Sequence, residues 1–218
     1  MSHLRLAAKM STGLLLLAVA GCAPAAIDQA PATASAPAPE TPLDMPAGAP
    51  LAEFFRKYDE AQLSLSPQSK AYRGIRDGDY GKWDDVSDEA EVARNKLQQA
   101  TAAAMRASYD PANLSPDDAL SSELFNAQAA REESLFPYRH HVYLFNQMRG
   151  AQSQMPAFLI NIHRVSNVAE AEAYVERIRG MGPVIDALTA QSAERVAQGI
   201  QPPKWVYAYV ISDIQNLL

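Results

Sequence analysis

After residue 50 apolar side chains recur at spacings of three and four, and no long alternating pattern of the strand kind interrupts them. Leu51, Phe54, Phe55, Tyr58 and Leu63 share one face, which predicts a first helix over Leu51 to Leu63 that Pro67 stops. Turn signals then crowd together at Ser66-Pro67, Gly74-Ile75, Gly78-Asp79 and Gly81. The stretch 64–87 therefore reads as an ordered loop with one short helical turn near Gln68 to Tyr72. Ser87 caps the next helix, whose first turn sets Asp88, Glu89 and Glu91 against the positive end of the helix dipole. Its apolar stripe, Val92, Leu97, Ala104 and Met105, runs down to Ala107, and Tyr109-Asp110-Pro111 closes it.

Ser115-Pro116-Asp117-Asp118 is a helix start, with a capping hydroxyl, Pro at the first helical position and carboxylates behind it. Leu120, Leu124, Ala127 and Leu135 form the apolar stripe of that helix, and Pro137 ends it. Tyr138 to Phe145 fits either a short strand or irregular packing. Gly150 and Pro156 are expected to flank a polar turn. Asn167-Val168-Ala169-Glu170 is a capping-box pattern, with Val168, Ala171, Val175 and Ile178 following on one face. Gly180 and Gly182 are expected to break this helix, and Pro183 to begin another through Val184, Leu188, Gln191 or Ser192, and Val196 to Gly199. The two would form a helical hairpin. Gln201-Pro202-Pro203 opens a last helix carrying Val206, Val210, Ile214 and Leu217. The fold class read from these patterns is mainly α, with about five to seven helices over 51–218. An apolar helical end without a polar cap implies a unit that belongs to a larger helical protein, a complete protein with a docked last helix being the alternative.

The first fifty residues follow a different logic. Arg5 and Lys9 precede the apolar run Leu14 to Ala20, too short for a permanent span and right for a secretory signal over 1–21. The run ends in Val19-Ala20-Gly21-Cys22, which resembles the bacterial lipobox, and Cys22 is the chain's single cysteine. Small residues let the chain enter a peptidase groove, and the thiol supplies the sulfur that takes a diacylglyceryl group. Residues 22–50 then form an Ala/Pro-rich tether that cannot bury a core and holds the domain off a membrane. The lipobox resemblance implies, with Ala23 after the cysteine, sorting to the outer membrane facing the periplasm, so the expected location is the cell envelope and the expected partner a membrane, through lipid on Cys22.

Composition narrows the function further. The chain is 48% hydrophobic with a net charge of -6, and loss of Arg5 and Lys9 with the signal takes 19 basic residues to 17 against 25 acidic ones, a net -8. Nucleic acid is an unsuitable partner for such a charge. One cysteine excludes a disulfide framework.

Later segments carry a resemblance. Ser66-Pro67 with Ala71 and Gly74-Ile75, then Trp83-Asp84-Asp85-Val86-Ser87, resembles the opening of a bacterial family known only as domain of unknown function 885. Asn146 and Gly150, Met155-Pro156-Ala157-Phe158-Leu159, Ala171-Glu172-Ala173-Tyr174-Val175-Glu176-Arg177-Ile178 and Gly199-Ile200-Gln201-Pro202-Pro203 follow in the same order as in that family's N-terminal half. The resemblance implies a mainly helical, often lipoprotein, relative of gluzincin-type zinc metallopeptidases. Those hold zinc with a His-Glu-x-x-His helix and a further Glu. No Glu directly follows a His in this sequence, so no catalytic, cofactor-binding or metal residue carries over, and zinc is expected only of a full-length family member.

Other candidates have plainer readings. His140 and His141 are adjacent, so their side chains diverge and do not chelate one ion together; with His163 they read as surface or loop groups. Asp84-Asp85 reads as a cap and Glu132-Glu133 as a solvated face. Tyr138, Tyr143, Phe145, Trp205, Tyr207 and Tyr209 read as core packing. Two functions follow from this. Either the chain is the N-terminal helical wall of a membrane-tethered zinc-peptidase-like protein, inactive alone and meeting peptide substrate only with the missing half, or it is a self-contained envelope lipoprotein that binds or braces through its helical surface.

Overall fold

The computed structural model describes residues 48–217. The signal segment, Cys22 and almost all of the tether lie outside the described residues. Those described form seven α-helices joined by turns and two short 3-10 segments, with no strand among them, so the mainly α expectation holds.

Helix α1 is Leu51–Ser64, and its Phe54 is fully buried. That ring stands edge-on to Phe55, Tyr109 and Phe125, and with Leu51 and Met105 it makes the first core. Pro67 does more than stop α1, since it opens the short helix α2 (Pro67–Tyr72), for which Ser66 is the cap. Residues 73–87 then form an ordered loop. Helix α3 is Asp88–Ser108, with the Ser87 hydroxyl accepting from the Ala90 N–H at 3.2 Å as expected. The Tyr109 hydroxyl donates to the Ala49 carbonyl at 3.0 Å and so ties the entry of α1 to the exit of α3.

Helix α4 (Pro116–Leu135) begins at the Ser115 cap, yet the face it buries is not the one its pattern predicts. Leu120, Leu124 and Leu135 are 55%, 61% and 51% exposed, whereas Ser122 and Ala129 are buried. Helix α4 packs along α3, where Gln99 Nε2 donates to the Ala129 carbonyl at 3.0 Å and Asn126 reaches Met105, and Phe125 enters the aromatic cluster beside α1. After a 3-10 turn at Phe136–Tyr138 the chain is irregular to Gly150, which settles the strand-or-irregular question for Tyr138 to Phe145.

Pro156 lies inside a helix, not at the edge of a turn. Helix α5 is Ala151–Asn161, and the burial of Met155, Phe158 and Leu159 outweighs the one hydrogen bond that Pro156 cannot donate. Helix α6 is unbroken over Val168–Ala197, about 45 Å long at 1.5 Å per residue. The expected hairpin is therefore absent, and Pro183 sits in the interior of α6. Gly180 serves contact instead of helix breaking, because a Cβ there would stand 3.0 Å from Trp83 Cδ1. The expected face of α6 is also turned: Val168, Val175 and Ile178 are exposed, while Ala173 and Arg177 face inward. Asn167 caps α6 as predicted, accepting from the Glu170 N–H, but the Glu170 carboxylate bonds the Ser166 N–H, one residue before the cap. Gly199, at a φ of 81°, ends the helix in the left-handed conformation that glycine favours.

Helix α7 (Val206–Gln215) lies against α5 and fully buries only Val206. No helix among the described residues is long and apolar enough to cross a membrane.

Because Phe54 touches three other rings at the meeting of α1, α3 and α4, Phe54→Ala should lower unfolding stability by about 3–5 kcal/mol. Urea denaturation followed by circular dichroism checks this, and a loss under about 1 kcal/mol would contradict the packing described.

Candidate functional site

The densest chemistry in the domain surrounds a charged side chain with no exposed surface, Arg177 of α6. Its Nη2 and Nε donate to the Lys82 carbonyl at 2.6 and 3.1 Å, and its Nη1 lies 3.0 Å from His163 Nδ1. The guanidinium carbon stands 4.8 Å from the Phe158 ring centre and 5.5 Å from those of Tyr80 and Trp83. Aromatic faces replace part of the lost hydration, and the Lys82 carbonyl and His163 Nδ1 take the donors. Burial nevertheless lowers its pKa to about 10, which still leaves it charged at neutral pH.

An arginine donor against Nδ1 makes that nitrogen an acceptor, so His163 carries its proton on Nε2 and donates to the Glu170 carbonyl at 3.2 Å. The ring lies tilted against Tyr80, ring centres 4.2 Å apart, and stands edge-on to Tyr174 at 5.1 Å. His163 lies in the loop between α5 and α6, as one half of its reading has it, but it is only 5% exposed, so the surface half fails. Burial first, then the Arg177 charge, hold its pKa below the ordinary 6.5.

The 73–87 loop is fastened along α6 by the same device repeated. Trp83 Nε1 donates to the Arg177 carbonyl at 2.7 Å, Gln191 Nε2 to the Val86 carbonyl at 2.7 Å, and Arg76 pairs with Glu170 at 2.8 Å. Tyr80 Oη donates to the Arg164 carbonyl and accepts from the Arg164 N–H. Asp84 is a cap, as expected, but for α2: it accepts from the Ser66 hydroxyl at 2.7 Å and from the Gln68 N–H at 2.8 Å. Asp85 accepts from the Ser87 N–H in a local turn.

The remaining candidates stay apart. His140 Nε2 is 3.0 Å from Asp88 Oδ1, the carboxylate that Arg139 grips at 2.8 Å and holds below the usual aspartate range. His141 stands edge-on to Tyr138. Glu133 is exposed, and Glu132 is half-buried beside Gln128. Tyr138, Tyr143, Trp205, Tyr207 and Tyr209 are all exposed, so the core reading fails for these five, and Phe145 is half-buried. Apolar character alone does not say whether a neighbour exists to cover it. Sequence reasoning passed over Arg177 and Arg195, because a basic residue between Glu176 and Ile178, or between Glu194 and Val196, reads as solvent-facing. Their spacing from Ala173, Leu188 and Gln191 on one face is the signal that could have found them.

Among the described residues no group of three His, Cys, Asp or Glu side chains is placed to hold a metal ion. The donors themselves do not suit zinc: both His163 nitrogens are engaged, and His140 is committed to Asp88. A small cavity of about 130 Å³ lies between α1 and α2, lined by Tyr58, Asp59, Gln62, Leu63, Ser69 and Arg73. Burial pushes the Tyr58 hydroxyl up to about 12.

The model of the family described as "Bacterial protein of unknown function (DUF885)" matches residues 67–218, more than half of the chain. The chain belongs to the DUF885 family. No curated protein and no solved structure matches it. Within this DUF885 chain the matched region takes in every residue of the Arg177 network, together with α2 to α7.

Two outcomes follow from the buried pair. Removing Arg177 leaves the Lys82 carbonyl and His163 Nδ1 without donors, so Arg177→Met should destabilise the domain by about 2–4 kcal/mol in urea unfolding. His163 has a depressed pKa in the fold, so the unfolded chain takes up the proton first as pH falls through 6.5. Its stabilising contribution is complete above that value and is lost below it, down through the lower pKa of the folded state. The paired carboxylates Asp59, Asp77, Asp79, Asp88 and Glu170 are themselves held below their ordinary 3.8 to 4.5 and act only at lower pH. The unfolding midpoint should therefore drop between roughly pH 7 and pH 5 in the parent and much less in His163→Gln.

Proposed function

We propose that 51–218 is the N-terminal helical portion of a membrane-tethered lipoprotein resembling a zinc metallopeptidase, forming one wall of a peptide-binding cleft while a C-terminal half of the full-length protein supplies the zinc ligands. DUF885 membership supports the family side of this reading. The observation that carries it is α7 with its flanks: Trp205, Tyr207, Tyr209, Ile211, Ile214 and Leu217 are each between 43% and 59% exposed, and only Val206 is buried. A helix so apolar on its outer side is built to receive a further layer of protein. The lipobox-like sequence before Cys22 supports a membrane tether.

Mass spectrometry of membrane-extracted protein should find an N-terminus at Cys22 bearing lipid, and Cys22→Ser should move the protein from the membrane to the soluble fraction. An unmodified Cys22 overturns the tether. The peptidase reading is tested by comparing the chain ending at Leu218 with one extended through a downstream His-Glu-x-x-His. Chelator-sensitive peptide hydrolysis is expected only of the extended chain. Hydrolysis by the shorter chain, or a gene without that motif, replaces the reading with that of a self-contained envelope lipoprotein acting through its helical surface.

A further inference from the structure

The apolar stripe that α4 leaves in solvent has an internal symmetry. Asp117, Leu124 and Arg131 stand seven residues apart, two helical turns each, and so share one face. Leu120 and Ala127 lie on the same face, and all five residues are exposed. The stripe thus has an acid two turns before its central leucine and a base two turns after it. Arg131 and the Asp117 carboxylate have no ion pair among the described residues, although eight acid–base pairs elsewhere among those residues are joined within 3.0 Å.

We propose that α4 is a self-association surface whose occupant is the α4 of a second copy, antiparallel across a twofold axis at Leu124. Such an axis sets each Leu124 against its counterpart. It also brings Asp117 of each copy opposite Arg131 of the other, about 10 Å from the axis at 1.5 Å per residue. A parallel pairing would face Asp117 with Asp117 and Arg131 with Arg131, so the charges select the antiparallel register. Leu120 covers the aliphatic stem of Gln128 across the interface, and the small Ala127 and Ser121 on its flanks let the helices approach closely. The choice of a second copy rests on this complementarity. Each half of the stripe is the electrostatic complement of the other half.

Sedimentation equilibrium over a concentration series of the full chain carrying Cys22→Ser tests the proposal, with circular dichroism as the check on folding. A monomer–dimer equilibrium is expected, weakened at high salt. Leu124→Asp places two carboxylates on the axis and should abolish the dimer without altering helicity. Asp117→Arg and Arg131→Asp should each raise the dissociation constant about tenfold, since each disrupts two symmetry-related pairs, and the double exchange should restore the parent value. A monomer at every concentration, a dimer indifferent to Leu124→Asp, or a double exchange that fails to restore association each overturns it. In the first case the stripe belongs to a different partner.

Discussion

The guanidinium of Arg177 can leave water only because everything around it answers a donor or a charge. Lys82 supplies a carbonyl, His163 a ring nitrogen, and Phe158, Tyr80 and Trp83 supply aromatic faces. These groups come from two separate places, the 73–87 loop and α5 with the turn after it, while Arg177 itself stands on α6, a third. An arginine satisfied in this way fixes all three at once, because moving any one of them strands a buried charge. It also explains the rotation of α6. With Arg177 inward and the Trp83 ring against Gly180, Val175 and Ile178 have nowhere to face but outward.

Continuity of α6 follows from the same anchoring. A helix passing through Pro183 gives up a backbone hydrogen bond, yet α6 is clamped on both sides of that proline, by Arg177 before it and by Gln191 after it. Arg195 extends the pattern by donating to the Val142 carbonyl, which holds the irregular stretch before Gly150 against the far end of the helix. Its Nε remains without a partner, and burial lowers its pKa. Two arginines on one inward face make α6 a spine that organises loops through their carbonyls more than through apolar area.

What the sequence disclosed and what it hid divide along this line. Caps at Ser87, Ser115 and Asn167 are readable as helix starts, because a cap is decided by residues three positions away, whereas Ser66, which caps α2, reads only as a turn signal. The interior prolines of α5 and α6 were misread as boundaries, since local propensity cannot register the burial of Met155, Phe158 and Leu159 that outweighs it. Faces were the least legible. On α4 and α6 the pattern marks which residues are apolar, whereas burial depends on which neighbour arrives, and on α4, which packs along α3, the buried positions are the small Ser122 and Ala129. The candidate site was hidden for a related reason: Arg177 and His163 look polar one residue at a time, and only the aromatic cage makes them core.

Helices α4 and α7 both leave apolar faces outward, and their chemistry separates them. Helix α7 has one charged residue, Asp213, and it is turned inward to Gln152 Nε2 at 3.2 Å, so the outer face carries aromatic and aliphatic groups with nothing to set a register. A face of that kind suits a permanent layer fitted by shape, where packing supplies both affinity and alignment. Helix α4 instead carries an acid and a base at equal distances from one leucine, which suits a contact that must find its alignment in solution and come apart again. The small residues facing α3 make this division possible. They let two long helices close on each other with little apolar area, and the large aliphatic side chains are left free for recognition.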